Sequence, residues 1–137
     1  MNILKYAALT FSIATASLAL ADKVEPNPNI QLATGETEHC VGITRIDEIE
    51  VLDKRNILFY MKGKKVYLND LPRPCPGFSS RDTITYSTSL HKLCNSDIVT
   101  ELNDVGSDYM RGASCGLGKF YPISKEDADK LRTESHK

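Results

Sequence analysis

Cys40, Cys75, Cys94 and Cys115 are the side chains in this sequence best equipped for chemistry. An even number of widely spaced thiols pairs into disulfides where the compartment is oxidising. None of the steps between them is the two-to-four-residue spacing with which a zinc ribbon seats two thiolates, although His91 and Cys94 would supply two ligands to a metal. A redox-active dithiol would read Cys-x-x-Cys at a helix start, where the dipole favours thiolate, and the chain contains no such step. Two structural disulfides are therefore expected. Three pairings satisfy the count and the sequence does not choose among them. The expected one joins Cys75 to Cys94 across a Pro-rich loop and Cys40 to Cys115, first strand to last.

The other reactive residues lack a supporting pattern. His39, His91 and His136 are the imidazoles, and the first and last fall in segments that read as a lead and a tail. His91 is flanked by Ser87, Thr88, Ser89 and Asp97, but no serine sits in a Gly-x-Ser-x-Gly elbow that would aim it as a nucleophile. Asp47, Glu48 and Glu50 share one strand, where alternation puts Glu48 and Glu50 on a common face, most simply a solvated edge. A hydrolytic acid and base would normally come from separate elements facing a cleft. Lys54, Arg55, Lys62, Lys64 and Lys65 occupy two turns at opposite ends of one strand, roughly 17 Å apart, and so form no single anionic-ligand site. Lysines at turns and edges serve solubility and block edge pairing. Tyr60, Tyr67, Tyr86, Phe78, Phe120 and Tyr121 are residue types that can line a groove for a glycan or peptide, but in strands they are more often core and cross-strand filling. Of these, Phe78 and Tyr121 adjoin a proline-containing turn and are the better candidates for a contact surface.

The elements that must position these groups are mostly strands. From Cys40 onward, apolar runs of four to seven residues alternate with turn formers, which is strand spacing. Ile46–Leu52 and Ile57–Met61 flank a polar break and predict a hairpin, and Val66–Leu68 follows the Lys62–Lys65 turn. Pro72, Pro74 and Pro76 forbid ladder pairing and make residues 69–80 a loop. Thr83–Ser87, Asp97–Leu102 and Cys115–Tyr121 supply further strands, about six in all. Ser124 with Asp127 three residues on predicts a short helix. The expected fold is mainly all-β: short antiparallel strands in a meander curling into a small barrel or sandwich, the barrel preferred because closure buries both edges, with a short C-terminal helix. The divisions are a signal peptide over 1–21, a flexible lead over 22–39, the disulfide-bonded β domain over 40–123, and a helix and tail over 124–137.

The leader rests on Lys5 followed by an uncharged run from Tyr6 to Leu20, closed by Ala19-Leu20-Ala21 before Asp22. Cleavage after Ala21 is expected, with a periplasmic or secreted product. The run is too short for a membrane span, and no cysteine follows the cut, so no stable membrane anchor is expected. A net charge of −1 argues against nucleic acid as a partner. No cofactor or metal motif is present, and none is assigned.

With these residues placed, the chain resembles a family of short exported bacterial proteins catalogued as a domain of unknown function, number 6491. The resemblance is carried by Cys40, Arg45-Ile46, Asp53, Tyr67-x-Asn69-x-Leu71, Cys75-Pro76-Gly77, Leu93-Cys94-x-x-Asp97 and Cys115-x-Leu117-Gly118-x-Phe120, covering residues 40–122. Phe78 departs from it, standing where an aliphatic residue is expected. The resemblance implies an envelope-located protein with paired cysteines and transfers no catalytic residue.

The functional expectation is a non-enzymatic binding or accessory module, meeting an envelope protein, a glycan or a small ligand through the rigid loop from Asn69 to Ser80. Three prolines pre-order that loop. Arg73, Phe78 and Tyr121 are its candidate partner-binding residues. The rival is a small envelope hydrolase, or a redox or metal-handling helper, centred on His91 and the cysteines.

Overall fold

A computed structural model describes residues 25–88 and 90–137; the leader expected over 1–21 lies outside the described residues. The strands are β1 (Cys40–Gly42), β2 (Ile46–Val51), β3 (Asn56–Met61), β4 (Val66–Asp70), β5 (Thr83–Tyr86), β6 (Lys92–Cys94), β7 (Ile98–Asp104), β8 (Tyr109–Gly116) and β9 (Phe120–Ile123), followed by helix α1 (Lys125–Ser135). They form a four-stranded sheet in the order β2-β3-β4-β9, a three-stranded sheet β5-β7-β8 and the pair β1-β6, with every pairing antiparallel.

The fold is mostly β and sandwich-like, and the expected closure into a barrel does not occur. The reason lies in β3, whose Ile57, Leu58 and Phe59 are all fully buried. A strand buried on both faces needs cover on both. On one side Ile57, Phe59, Met61, Tyr67 and Phe120 pack against the two smaller sheets with Val41, Leu93, Val99 and Phe78. Phe59 and Tyr67 meet the Phe120 ring edge-on, at 5.1 and 6.2 Å between centroids. On the other side Leu58, Val66, Leu68 and Ile123 are covered by Ala128 and Leu131 of α1 and by Leu32. Ser124 caps that helix as expected, its hydroxyl accepting the Asp127 N–H at 3.1 Å.

The described part of the lead is pinned, in place of the flexible segment expected. Thr34 and Glu38 donate backbone hydrogen bonds to Pro122 and Phe120, and Phe120 returns one to Glu38, so the lead covers the β9 edge. Asn27 is buried and donates to Asn56 and, at 3.0 Å, to Asp70. Covering an edge with a lead removes the need for closure.

Three strands escaped the sequence pattern. β1 and β6 are three residues each, too short for any alternation to register. β8 reads Tyr-Met-Arg-Gly-Ala-Ser-Cys-Gly, without a β-branched residue, and is a strand because β7 pairs with it. The single strand expected over Cys115–Tyr121 is broken between β8 and β9 at Gly118. A Cβ there would lie 1.7 Å from the Asp70 carbonyl oxygen, and the Asn69 amide bonds both Gly118 N–H (2.9 Å) and Gly118 C=O (2.8 Å). Only glycine admits that approach.

Both cysteine pairs exist, but with different partners from those expected: Cys40 bonds Cys94, and Cys75 bonds Cys115. Cys40 and Cys94 stand directly opposite in the β1-β6 ladder with Cα atoms 3.9 Å apart. Cys75 is fully buried and fastens the Pro-rich loop to β8. The expected pairing failed because it assumed that the loop closes on itself, whereas β6 belongs beside β1. The chain-entropy estimate gives about 4 kcal/mol for each closed loop.

Candidate functional site

The sequence-derived candidates do not converge on one site. Arg73 is exposed on the loop between Pro72 and Pro74. Phe78 is 1 % exposed: a turn with its N–H bonded to the Cys75 carbonyl folds the ring into the core beside the disulfide, so it is not a contact residue. Tyr121 is half-buried on the opposite face of the main sheet, in the cluster beneath α1. His91 is exposed and its carbonyl accepts the Ile43 N–H. Asp97, its expected neighbour in chemistry, accepts the Cys94 N–H at 2.7 Å and closes the turn after β6 instead. All four cysteines are in disulfides, and no group of three or more His, Cys, Asp and Glu residues suited to a metal occurs among the described residues.

One polar cluster was not anticipated. Glu48 and Glu50 do share a face of the edge strand β2; Glu48 is solvated there as expected, but Glu50 lies under the helix end. Glu50 is 7 % exposed, and the end of α1 supplies its counter-charges. Arg132 Nε lies 2.6 Å from Glu50 Oε2 in an ion pair, and Arg132 Nη2 donates to Glu48 at 3.0 Å. His136 Nε2 lies 2.9 Å from Glu50 Oε1, so the supposed tail is anchored. The Arg132 guanidinium also sits 5.6 Å from the centre of the Tyr60 ring. Burial pushes the Tyr60 phenol above its ordinary pKa, with Arg132 opposing and Glu50 reinforcing the rise. For Arg132, burial alone would lower the value, but Glu50 and Glu48 outweigh it and the net shift is upward. The adjoining recess, about 430 Å³, is also lined by Arg81, Asp82, Thr83 and Ile84. Its described carboxylate–cation contacts join β2 to α1, which is how a helix end is clamped to a sheet. The sequence signal available was the pair Glu48 and Glu50 at alternate positions; what the helix would bring to them was not visible.

The feature with the character of a contact surface is the β7-β8 hairpin. β8 lies at the end of the sheet order β5-β7-β8, with a strand neighbour on one side only among the described residues. Leu117 N–H bonds Asp97 C=O beyond the Ile98/Gly116 pair, which makes Val99/Cys115 the hydrogen-bonded pair. It follows that the main-chain groups of Ser114 and Gly116 point away from β7, toward the open edge. Val105, Tyr109 and Met110 at the hairpin tip are 51, 65 and 61 % exposed. Asp104 shapes the tip by accepting the Gly106 N–H at 3.1 Å. Arg111 is the one charged residue on β8 and lines a shallow groove with Ile98, Thr85, Ser87 and Thr100. The Pro-rich loop supports the hairpin base, since Gly77 lies against Ala113 and the Cys75–Cys115 bond joins the two.

The chain matches the family described as Family of unknown function (DUF6491) over residues 2–137. It belongs to that family. DUF6491 carries no stated activity, so membership agrees with the resemblance in the cysteine-centred motifs and leaves chemistry to be argued from the fold. Comparisons with curated proteins and with solved structures gave no match. Its two disulfides are accompanied, among the described residues, by no helix long and apolar enough to cross a membrane.

Proposed function

We propose that this DUF6491 protein is a non-enzymatic binding or accessory module of the periplasm or the secreted fraction, and that it recognises an extended segment of a partner protein along the open edge of β8. The observation that carries this reading is the combination of unpaired edge groups at Ser114 and Gly116 with exposed Tyr109 and Met110 on the same strand. Adding a strand to a sheet edge draws affinity from main-chain hydrogen bonds and specificity from alternate side chains. Protected edges normally carry charged residues, proline, a bulge or a covering segment. β8 has Arg111 and a register shift next to it but neither Lys nor Pro, and its Ser114–Gly116 end lies beyond that shift, whereas the β9 edge of the other sheet is covered by the lead. Arg111 calls for an acidic residue in the partner strand, and Tyr109 and Met110 for apolar ones. The loop hypothesis is thereby narrowed: with Phe78 in the core, the Pro-rich loop acts as a buttress to this edge.

The experiment uses synthetic extended decapeptides of alternating apolar residues with one acidic position, followed by hydrogen exchange of the oxidised protein. Binding should slow exchange at the Ser114 and Gly116 amides, and the Tyr109→Ser/Met110→Ser variant should bind on the order of tenfold more weakly while melting as the parent does. Binding with those two amides unprotected, or undiminished by the double substitution, overturns the edge reading. Protection that rises with protein concentration and no peptide identifies a second copy as the occupant and also overturns it.

A further inference from the structure

The two disulfides differ at one sulfur: Cys75 is buried, whereas Cys115, Cys40 and Cys94 are all partly buried. Cys75 is sealed in the core at 0 % exposure, among Phe78, Leu71 and Leu117. Cys40 and Cys94 are only partly buried, on a two-stranded ladder of three residues per strand. Cys40 lines an open recess of about 170 Å³ together with Arg45, Lys65 and Tyr67. The Arg45 stem lies over Gly42, two residues along from Cys40, 3.6 Å from where a Cβ would stand. Lys65 reaches the same recess from the β3-β4 turn and sits 5.3 Å from the Tyr67 ring centre. On the Cys94 side the Asp97 carboxylate accepts the Cys94 N–H at 2.7 Å.

We infer that Cys40–Cys94 is a thiol–disulfide exchange site with a fixed polarity, reduced by a dithiol through attack on Cys94 with Cys40 as the leaving sulfur, while Cys75–Cys115 remains the permanent staple. Exchange proceeds by in-line attack of a thiolate, and the better leaving group is the sulfur whose thiolate is stabilised. Arg45 and Lys65, which line the recess at Cys40, favour a thiolate there, offset in part by the Glu38 carboxylate that acts on Lys65, and the Asp97 carboxylate at the Cys94 N–H disfavours one. In the first step the donor thiolate forms a bond to the Cys94 sulfur, the Cys40–Cys94 bond breaks, and its electron pair leaves on Cys40. In the second step the donor's other thiol, giving up its proton, attacks its own sulfur in the mixed disulfide. Cys94 departs as a thiolate, each protein thiolate takes up a proton as its pKa directs, and the donor leaves oxidised by two electrons. The same route at Cys75–Cys115 places the leaving charge at Cys75 inside an apolar core, where a thiolate is strongly disfavoured.

The test treats the folded, oxidised protein with glutathione and then, separately, with dithiothreitol, quenching with an alkylating agent and locating the labels by mass. Glutathione should be trapped on Cys94, and dithiothreitol should open Cys40–Cys94 on the order of tenfold faster than Cys75–Cys115. The Arg45→Met/Lys65→Met variant, both positions being at the surface, should slow the first opening by a similar factor and leave the second unchanged. Equal opening rates for the two bonds, glutathione trapped on Cys40, or an opening rate indifferent to the loss of both cations would each overturn the inference. None of these outcomes depends on the β8 edge, so the two proposals fail separately.

Discussion

At the scale of single residues, Tyr60 shows how burial sets a pH dependence. Its hydroxyl is buried without a hydrogen-bond partner among the described residues, while its ring carries the Arg132 guanidinium. An unpartnered buried hydroxyl costs stability, and phenylalanine keeps the ring without that cost. Tyr60→Phe is therefore expected to be neutral or stabilising by about 1 kcal/mol in chemical denaturation at neutral pH. The sign at high pH follows from the raised folded-state pKa. Below the unfolded value near 10 both states hold the proton and pH has no effect through this group. As pH rises past it, the unfolded chain ionises first, so the tyrosine protein loses stability and the phenylalanine variant does not. The melting difference between the two should be flat up to about pH 10 and then widen in the variant's favour. A loss of more than 1 kcal/mol at neutral pH would mean that the hydroxyl makes a bond worth keeping.

At the scale of elements, helix α1 was legible in part. The Ser124 cap and the apolar Ala128 and Leu131 could be read from spacing, but not the partners of its far end, since ion pairs between positions 48 or 50 and 132 or 136 leave no local pattern. The hairpin of β2 and β3 and the third strand β4 were equally legible, because their apolar runs are long and bounded by polar turns. β8 was not, because pairing with β7 overrides a sequence of small residues. The Glu50 contacts lead to an asymmetric expectation. Arg132 is 40 % exposed at its side chain, so losing its partner returns it to water at little cost, whereas Glu50 at 7 % cannot be rehydrated in place. Arg132→Met should therefore cost about 2 kcal/mol and Glu50→Gln about 1 kcal/mol, the first being held below the usual range for a broken buried pair by the remaining His136 contact. Equal costs in urea melts would show that the carboxylate reaches solvent by another route.

At the scale of the whole molecule, the sheets form no closed barrel among the described residues, and two cross-links join their parts. The cysteine count and spacing made the presence of two disulfides readable, but pairing depends on which strands lie together, and that is fixed by cores sequence periodicity does not place. β6 next to β1 puts Cys94 against Cys40, and β8 over the Pro-rich loop leaves Cys115 for Cys75. Each closed loop is worth about 4 kcal/mol by chain entropy, against a total stability of about 5 to 15 kcal/mol for a domain. Disulfides form outside a reducing cytosol, and that is the physical reason a leader is expected over residues 1–21. Protein recovered from the producing cell's envelope or medium should begin at Asp22 by N-terminal sequencing, react with no thiol reagent before denaturation, and lose its cooperative melt when both bonds are reduced. An intact Met1 on the folded, oxidised protein would break the link between export and folding. A melt that persists after full reduction would place the stability in the apolar core on either face of β3, leaving the cross-links with other work.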